Sequence, residues 1–410
     1  MRILFISHYF PPEMGAPAAR VYELCRVWTQ RGHQVTVITG PPNHPTGILY
    51  QGYRNRFFQK QRLEGVEVIR TCVYLAANKG FGKRILNYLS FMLTSSVTAA
   101  LRTRRWDVVV ATSPQFFAAV SGYVVSRIKR CPFVLDVRDL WPKSIVVLGA
   151  LRSRVLIGLL EHVEMFLYHQ ARHIVGTVEG IKIDLVSREI EVDKITVIPN
   201  GVDLGLFSPG PREDAFRIQH NLQGEFIVSY IGTHGLAHAL EKVLLAAERL
   251  RSENICFLFV GEGAEKERLI KVKKQRQINN VLFLDRQPRE KIPQIISVSD
   301  ACLVSLRKDA FFSYALPSKL FEIMACARPL ILSANGESRD LVERAGCGIW
   351  VEPENPAALA DGVLRLYRNP QLCHQLGENG RRFVERHFDR KKFALQYEEI
   401  LQRVVKEVER

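Results

Sequence analysis

Closely spaced cysteines are missing from this chain of 410 residues. Its eight cysteines form no CxxC pair, and most of them lie within apolar runs. Disulfide frameworks and structural zinc sites both depend on such spacing, so neither is expected. The sequence also contains no DxD triplet that would favour a magnesium site. We therefore expect free thiols, a reducing compartment and no metal or other cofactor.

Long hydrophobic runs are missing as well. No stretch of about 18 apolar residues occurs, so a transmembrane helix is not predicted. The apolar segment at residues 1–12 is short, ends in Pro11-Pro12 and has no small-residue cleavage site. It therefore differs from a signal peptide and is typical of a buried strand that enters a loop. We expect a cytoplasmic protein.

Several well-known catalytic motifs are also absent. The sequence has no GxGxxG, no Walker-type loop, no HExxH and no GxSxG. A dinucleotide fingerprint, a P-loop nucleotidase, a zinc protease and a nucleophile-elbow hydrolase are therefore not indicated. The first predicted loop instead carries Gly15 ahead of a helix that is rich in small residues. Such a turn can bring backbone N–H groups close to a phosphate, although an ordinary tight turn has the same pattern.

What the chain does contain is an alternation of short β-branched runs with helical patterns. This alternation predicts an α/β fold of parallel sheets with both faces covered. Because one core rarely exceeds about 300 residues, we expect two Rossmann-like doubly wound domains that face each other across a cleft. The predicted domains are 1–200 and 201–388, with a linker at 207–214. A C-terminal helix at 389–410 is expected to cross back to the first domain.

Twelve runs are predicted to be strands of these two domains. They are 2–7, 34–39, 66–70, 108–112, 133–137, 173–177 and 195–199 in the first half, and 226–232, 256–261, 281–285, 301–306 and 329–333 in the second.

Positive charge is concentrated in the first half. Residues 1–200 carry 26 basic and 14 acidic side chains, a net of +12, whereas the remainder has a net of +3. An excess of this size favours an anionic partner such as a phosphorylated substrate or an anionic membrane. No recognised nucleic-acid-binding motif accompanies the charge, so nucleic acid is not expected.

An amphipathic segment at residues 83–105 has two interpretations. Its apolar residues follow helical spacing, and basic residues flank it on both sides. A half-buried helix of the first domain is the commoner explanation. The other is an interfacial helix that rests on anionic lipid, together with the basic and aromatic patch at 53–62. With the charge bias, we expect peripheral attachment to the inner face of the cytoplasmic membrane.

The segment 311–333 holds the most informative combination of residues. Pro317 suits the first turn of a helix, and Ser318 can cap its free amides. The positive end of that helix, with Lys319 beside it, suits a diphosphate. Glu322 lies on about the same face and can accept hydrogen bonds from two ribose hydroxyls. A Lys–Glu pair on a capped surface helix remains the alternative.

Five segments together resemble family 4 of the retaining GT-B glycosyltransferases, in the branch that builds bacterial surface polysaccharides such as O-antigen, capsule or exopolysaccharide. They read FPPEMGAPAARVYELCRVWTQRGHQVTVIT (10–39), VIPNGVD (197–203), FVGEGAEKERL (259–269), LPSKLFEIMACARPLI (316–331) and GESRDLVERAGCGIWVEPENPAALADGV (336–363).

The resemblance implies that the second domain binds a nucleotide-sugar donor and the first binds the acceptor. Glu322 matches the glutamate that holds the donor ribose, and Arg286 begins the segment that reads the base. Gly15 matches the glycine whose backbone approaches the donor phosphate.

Two departures from the family pattern leave the transferred sugar open, with an N-acetylated amino sugar as one possibility. Tyr314 stands where many members have a glutamate that contacts the donor sugar. His234 and Gly235 stand where many have the arginine and lysine that hold the diphosphate. That role is therefore expected of Lys319, Arg307, His234 and the helix start with Ser318 and Leu320.

The predicted function is metal-independent transfer of a sugar from a UDP-sugar to a lipid-diphosphate-linked glycan, with retention of configuration. Lys319 and the helix terminus are expected to stabilise the leaving phosphate, which itself accepts the acceptor proton. Asp139 is a candidate to orient or deprotonate the acceptor, or else caps the helix after Trp141 and Pro142. The alternatives are a nucleotide-sugar 2-epimerase of the same fold and a non-catalytic nucleotide-sugar-binding relic.

Overall fold

Short β-branched runs form the strands of two separate sheets in the computed structural model. It describes residues 1–13, 15–44, 46–76, 81–113, 116–147, 149, 151–211 and 214–409. Residues 212–213 of the expected linker and Arg410 therefore lie outside the described residues. The chain divides into two compact units, Met1–Asn200 with Arg390–Arg410, and Gly201–Asp389. Each unit contains one sheet.

The first unit contains an eight-stranded sheet in the order β3-β4-β2-β1-β5-β6-β7-β8. Its strands are β1 (Arg2–Ile6), β2 (Gln34–Thr39), β3 (Gln59–Leu63), β4 (Val66–Arg70), β5 (Val108–Thr112), β6 (Phe133–Val137), β7 (His173–Gly176) and β8 (Ile195–Val197). Its helices within residues 1–200 are α1 (Ala16–Gln30), α2 (Phe81–Ala100), α3 (Phe116–Lys129), α4 (Lys143–Val147), α5 (Arg154–Gln170) and α6 (Glu179–Ser187). All neighbouring strands pair in parallel except β3 and β4.

The sequence predicts no strand at the antiparallel edge strand β3, because most of its residues lie in the basic and aromatic patch at 53–62. Its sequence QKQRL has no apolar run, and its side chains alternate between half-buried and exposed. Gln59 pairs with Arg70 and Leu63 with Val66 across the turn that joins β3 to β4. Charged side chains on an edge strand discourage pairing with further chains, which explains this unusual composition.

The second unit contains a six-stranded parallel sheet in the order β11-β10-β9-β12-β13-β14. Its strands are β9 (Phe226–Ile231), β10 (Ile255–Val260), β11 (Val281–Leu284), β12 (Ala301–Ser305), β13 (Leu330–Ser333) and β14 (Gly348–Trp350). Its helices are α7 (Asp214–Gln219), α8 (Leu240–Arg249), α9 (Lys266–Gln275), α10 (Ile292–Val298), α11 (Ser318–Ala325), α12 (Glu337–Ala345), α13 (Pro356–Tyr367) and α14 (Pro370–His387). Buried aliphatic and aromatic side chains cover the sheet.

The last helix, α15 (Arg390–Glu409), belongs to the first unit. It packs against α1, where the Trp28 indole donates to the Ala394 carbonyl at 2.9 Å. Glu398 pairs with both Arg31 and His33, at 2.6 and 2.9 Å. These contacts tie the end of the chain to its first βα unit.

Helix α2 combines a buried face with an exposed apolar stripe. Phe91, Asn87 and Ala99 are buried. In contrast, Leu93 is 61% exposed, and Leu101, the residue directly after the helix, is 74% exposed. The segment therefore contributes to the core of the unit and also leaves apolar surface uncovered. Among the described helices, none is long and apolar enough to cross a membrane.

Candidate active site

The second sheet brings most of the predicted donor-binding residues to one edge. Gly232–Gly235 follow β9, Arg286 follows β11 and Arg307 follows β12. Helix α11 begins shortly afterwards with Ser318 and Lys319. Since the strands are parallel and adjacent, these loops leave the sheet at its carboxyl edge, where open α/β sheets bind ligands.

Lys319 is the main cationic candidate at this edge. Its side chain as a whole is half-buried, but its Nζ atom is closed off from solvent and has no hydrogen-bond partner among the described residues. The Nζ atom lies 4.0 Å from the centre of the buried Tyr230 ring, a cation–π geometry. Burial lowers the pKa of Lys319 to about 7, against the opposing effect of the Glu322 carboxylate. The amine therefore lacks the anionic partner that a buried ammonium requires.

Two histidines flank this amine. His234 is fully buried among aromatic rings, and neither ring nitrogen has a hydrogen-bond partner in the described part of the chain. Burial, with Lys266 and Lys319 nearby, lowers the pKa of His234 to about 4. Burial lowers the pKa of His238 to about 3, and its Nδ1 lies 3.1 Å from the Ser305 carbonyl. Both imidazoles are therefore neutral at pH 7.

Two glycines that the sequence analysis did not single out set the shape of this edge. Gly232 has φ 141°, and a Cβ there would lie 2.7 Å from the Lys319 Nζ. Gly263 has φ 159°, and a Cβ there would lie 2.3 Å from the His234 carbonyl oxygen. A side chain at Gly232 would strain the backbone and displace the Lys319 amine, and one at Gly263 would push apart the loops after β9 and β10. The detectable signal was the position of each glycine at or just after the end of a predicted buried strand.

The start of α11 differs from the prediction. The helix begins at Ser318, so Pro317 precedes the first turn, and no side chain caps it. The Ser318 hydroxyl is buried without a partner among the described residues. The Leu320 N–H donates to the Pro317 carbonyl at 3.0 Å, and its side chain is in the core. Leu320 therefore cannot offer its amide to a ligand in this geometry. The backbone N–H groups at the helix start that remain for a ligand are those of Ser318 and Lys319.

The remaining predicted donor residues occupy varied surroundings. Glu322 is half-buried one turn after Lys319, while Tyr314 is 40% exposed at the end of a short 3₁₀ helix. The Arg307 amide donates to the Ala237 carbonyl at 2.9 Å, but its guanidinium points to Glu354 at 3.6 Å. Arg307 would thus have to leave an ion pair before its side chain could contact a diphosphate.

Two further predicted residues lie in loops of the second unit. Gly235 has φ −118° and ψ 164°, which any residue can adopt, so the structure does not require glycine there. Arg286 is half-buried directly after Asp285, which pairs with Lys266 at 2.7 Å.

In the first unit, Gly15 lies at the N-terminus of α1 with φ 138°, a conformation that favours glycine. The Gly15 carbonyl accepts from the Ala19 N–H at 3.0 Å. Among the described residues no side chain caps the helix, and the approach of a donor phosphate to this turn stays a prediction.

Asp139 follows β6 in the same unit. Burial raises its pKa to about 6, while the Ser144 hydroxyl and the Leu140 N–H donate to its carboxylate. Neither contact is to a backbone N–H group of α4, so the alternative role of a helix cap is not seen for Asp139. A carboxyl group that titrates near neutrality also suits a general base, so its catalytic role stays a prediction.

The described residues contain no cluster of three or more His, Cys, Asp or Glu side chains that could hold a metal ion. The acidic residues near the donor edge are engaged with cations instead. Lys266 binds both Glu262 and Asp285, at 2.6 and 2.7 Å.

Two family models match the two halves of the chain. Residues 15–201 match the glycosyl transferase 4-like domain, and residues 212–383 match glycosyl transferases group 1. The first match covers the first sheet except β1, and the second covers the whole second sheet.

Two relatives are bacterial glycosyltransferases. WcaI of Escherichia coli (strain K12), provisionally named a colanic acid biosynthesis glycosyl transferase, is 27% identical over 97% of this chain and 98% of its own length. WbjE of Pseudomonas aeruginosa, named a probable glycosyltransferase, is 26% identical over 65% of this chain and 67% of its own.

Solved structures share the fold over nearly the whole chain. Sucrose-phosphate synthase from Thermosynechococcus elongatus has a TM-score of 0.77 at 20% identity and covers 98% of each chain. Anabaena HepE, solved in complex with UDP-glucose, has a TM-score of 0.73 at 18% identity and covers 98% of this chain and 99% of its own. This likeness establishes the fold.

Proposed function

Because this chain belongs to the glycosyltransferases with a 4-like domain followed by a group 1 domain, we propose that it builds a bacterial surface polysaccharide. In this proposal it transfers a sugar from a UDP-sugar to a lipid-diphosphate-linked glycan. The name of the WcaI relative, which points to colanic acid synthesis, supports the type of product. The UDP-glucose complex of HepE supports the type of donor.

The observation that carries the proposal is the buried Lys319 amine. Its Nζ atom has no hydrogen-bond partner among the described residues, and it lies beside the open start of α11. A nucleoside diphosphate would supply the missing negative charge and accept hydrogen bonds from both the amine and the helix amides. In this proposal Glu322, which lies one turn further on, accepts hydrogen bonds from the ribose hydroxyls.

The same groups would act in the transition state. Departure of the sugar leaves negative charge on the β-phosphate, and a fixed cation in a water-poor site stabilises that charge. Retention then follows if the leaving phosphate accepts the proton of the acceptor hydroxyl on the same face of the sugar. In this scheme the donor edge needs neither a metal ion nor a nucleophilic carboxylate. Because the phosphate takes the proton in this scheme, Asp139 would orient the acceptor hydroxyl.

We also propose that the first unit rests on an anionic membrane through α2. Leu86, Leu93, Val97 and Leu101 form one exposed stripe at helical spacing, 43–74% exposed. Near the end of α2, the Arg102 guanidinium lies 5.8 Å from the ring of the exposed Phe58, which extends the apolar surface. Apolar residues bordered by arginines are typical of helices that lie in a lipid headgroup region.

The test is nucleotide release from a panel of UDP- and GDP-sugars, in EDTA, with and without a membrane extract that contains lipid-linked glycans. We expect release from a UDP-sugar that requires the extract and persists in EDTA. Release that needs a divalent cation would contradict the metal-independent scheme.

Two other outcomes would replace the proposal. Release without any acceptor, with formation of an epimerised sugar, would establish a 2-epimerase. Nucleotide binding without turnover of any donor would establish a binding protein. The anomeric configuration of the product, read by NMR coupling constants, decides between retention and inversion.

A further inference from the structure

A second group of polar and aromatic residues lies at the carboxyl edge of the first sheet. His8 and Tyr9 follow β1, and Asn43 and His44 follow β2, the neighbouring strand. Arg70 ends β4, which pairs with β2 on its other side. None of these residues was singled out from the sequence, because they are far apart in the chain.

Glu13 connects the first two of these loops. One of its carboxylate oxygens, Oε1, accepts the backbone N–H groups of both Asn43 and His44, each at 2.9 Å. The side chain is 6% exposed, and burial raises its pKa to about 7. A buried carboxyl group is costly unless it is hydrogen-bonded, so this arrangement fixes the loop after β2 firmly.

Arg70 strengthens the same connection. Its guanidinium donates to the Gly40 carbonyl at 2.8 Å and to the Pro11 carbonyl, and lies 4.9 Å from the centre of the Tyr53 ring. The loops after β1 and β2 are therefore held together from both sides, by an acceptor and by a donor. Rigid positioning of this kind is characteristic of ligand sites.

The feature that these loops hold in place is a pair of rings. Tyr9 and His44 meet edge to face with centroids 5.1 Å apart, and both keep part of their surface exposed. Tyr9 also hydrogen-bonds to Tyr88 of α2. Because the Tyr9 hydroxyl is held by Tyr88, the exposed part of its ring can pack against the C–H face of a pyranose, while the imidazole of His44 beside it can hydrogen-bond to the hydroxyls of the sugar.

We propose that Tyr9 and His44 form the surface that binds the terminal pyranose of the acceptor, and that Glu13 is its positioning residue. This inference rests on the proposed function, in which the second unit holds the donor. The carboxyl edge of the first sheet is then the place where a second substrate binds in an α/β fold.

The kinetic test compares Glu13→Ala, Glu13→Gln and His44→Ala with the wild type. The alanine at position 13 removes both hydrogen bonds to the loop, whereas glutamine keeps an oxygen that can accept them. We expect Glu13→Ala and His44→Ala to raise the KM for the lipid-linked acceptor at least tenfold. The KM for the donor should change less than twofold, and Glu13→Gln should restore most of the acceptor affinity. Glu191→Ala, at an exposed carboxylate of the same unit, is the control.

A binding test separates this inference from the proposed function. Saturation-transfer NMR with methyl glycosides of glucose, galactose and N-acetylglucosamine reports sugar contact without turnover. We expect the wild type and Glu191→Ala to give signals that His44→Ala loses, while UDP signals stay equal. Equal glycoside signals for wild type and His44→Ala, or an unchanged acceptor KM in both alanine variants, would overturn the inference. If no donor is turned over but the glycoside signals still depend on His44, the proposed function is wrong. The inference that Tyr9 and His44 bind a pyranose is then still supported.

Discussion

Replacing Lys319 with methionine should weaken nucleotide binding while leaving the fold intact. Methionine has nearly the same length and remains apolar where the Nζ atom is buried against Tyr230. A hydrogen bond to a charged group contributes about 1.5–3 kcal/mol. We therefore expect the Kd for UDP to rise about 10- to 150-fold. The thermal midpoint should not fall, because the variant removes a buried amine without an anionic partner.

The pH dependence of wild-type binding follows from the same amine. Lys319 has a pKa of about 7 without ligand, and a diphosphate beside it would raise that pKa. Below pH 7 the amine is charged in both states, so it adds no pH dependence to the affinity. Above pH 7 binding must take up a proton, so affinity should fall about tenfold per pH unit. His234 and His238 are already neutral in this range and contribute no slope.

Isothermal titration calorimetry between pH 7.5 and 9, in two buffers of different ionisation enthalpy, measures the Kd for UDP and the number of protons taken up on binding. The terminal phosphate of UDP loses its last proton near pH ~6, so this window isolates the lysine. We expect uptake of about one proton per UDP bound at the upper end in the wild type. Lys271→Met, at an exposed lysine of α9, should behave as the wild type does. Affinity of Lys319→Met within twofold of the wild type, or a pH slope that survives in it, would refute the reasoning.

Three further predictions concern other parts of the molecule. Gly232→Ala should weaken UDP binding at least tenfold in the same titrations, because its Cβ would displace Lys319 and its φ of 141° strains any side chain. Leu101→Asp should abolish co-sedimentation with anionic vesicles without lowering the thermal midpoint, since Leu101 is 74% exposed. Asp136→Ala should lower the free energy of unfolding by about 3–5 kcal/mol in urea titrations, because it leaves the buried Arg20 without its partner at 3.0 Å.

The strands were largely predictable because their sequences are buried on both faces of parallel sheets. The β2, β4, β5 and β6 segments lie at the predicted residues, and the other predicted strands differ by one or two residues at their ends. The two strands that were missed have different causes. The edge strand β3 is polar, and β14 has only three residues between two helices. Neither provides the apolar run that distinguishes a strand from a loop.

The candidate site was only partly predictable. Lys319 and Glu322 could be identified from a local pattern, because helical spacing alone places them on one face. Two other features depend on strand register, which cannot be read from the sequence. They are the Tyr230 ring beneath the amine and the close approach of Gly263 to His234. The capping role predicted for Ser318 was wrong because Ser318 is the first residue of the helix, and Pro317, whose side chain cannot accept a hydrogen bond, occupies the N-cap position.

The two histidines near Lys319 are neutral, so few permanent charges surround this amine. An arginine or lysine in place of His234 would stay ionised and, without a bound anion, would repel the Lys319 ammonium. The neutral imidazole of His234 instead packs among aromatic rings, and Lys266 is already neutralised by Glu262 and Asp285. In the proposed function, a bound diphosphate would offset the cost of keeping the buried Lys319 amine charged above pH 7. Binding energy should therefore depend steeply on the charge of the ligand, so UDP should bind far more tightly than uridine or UMP.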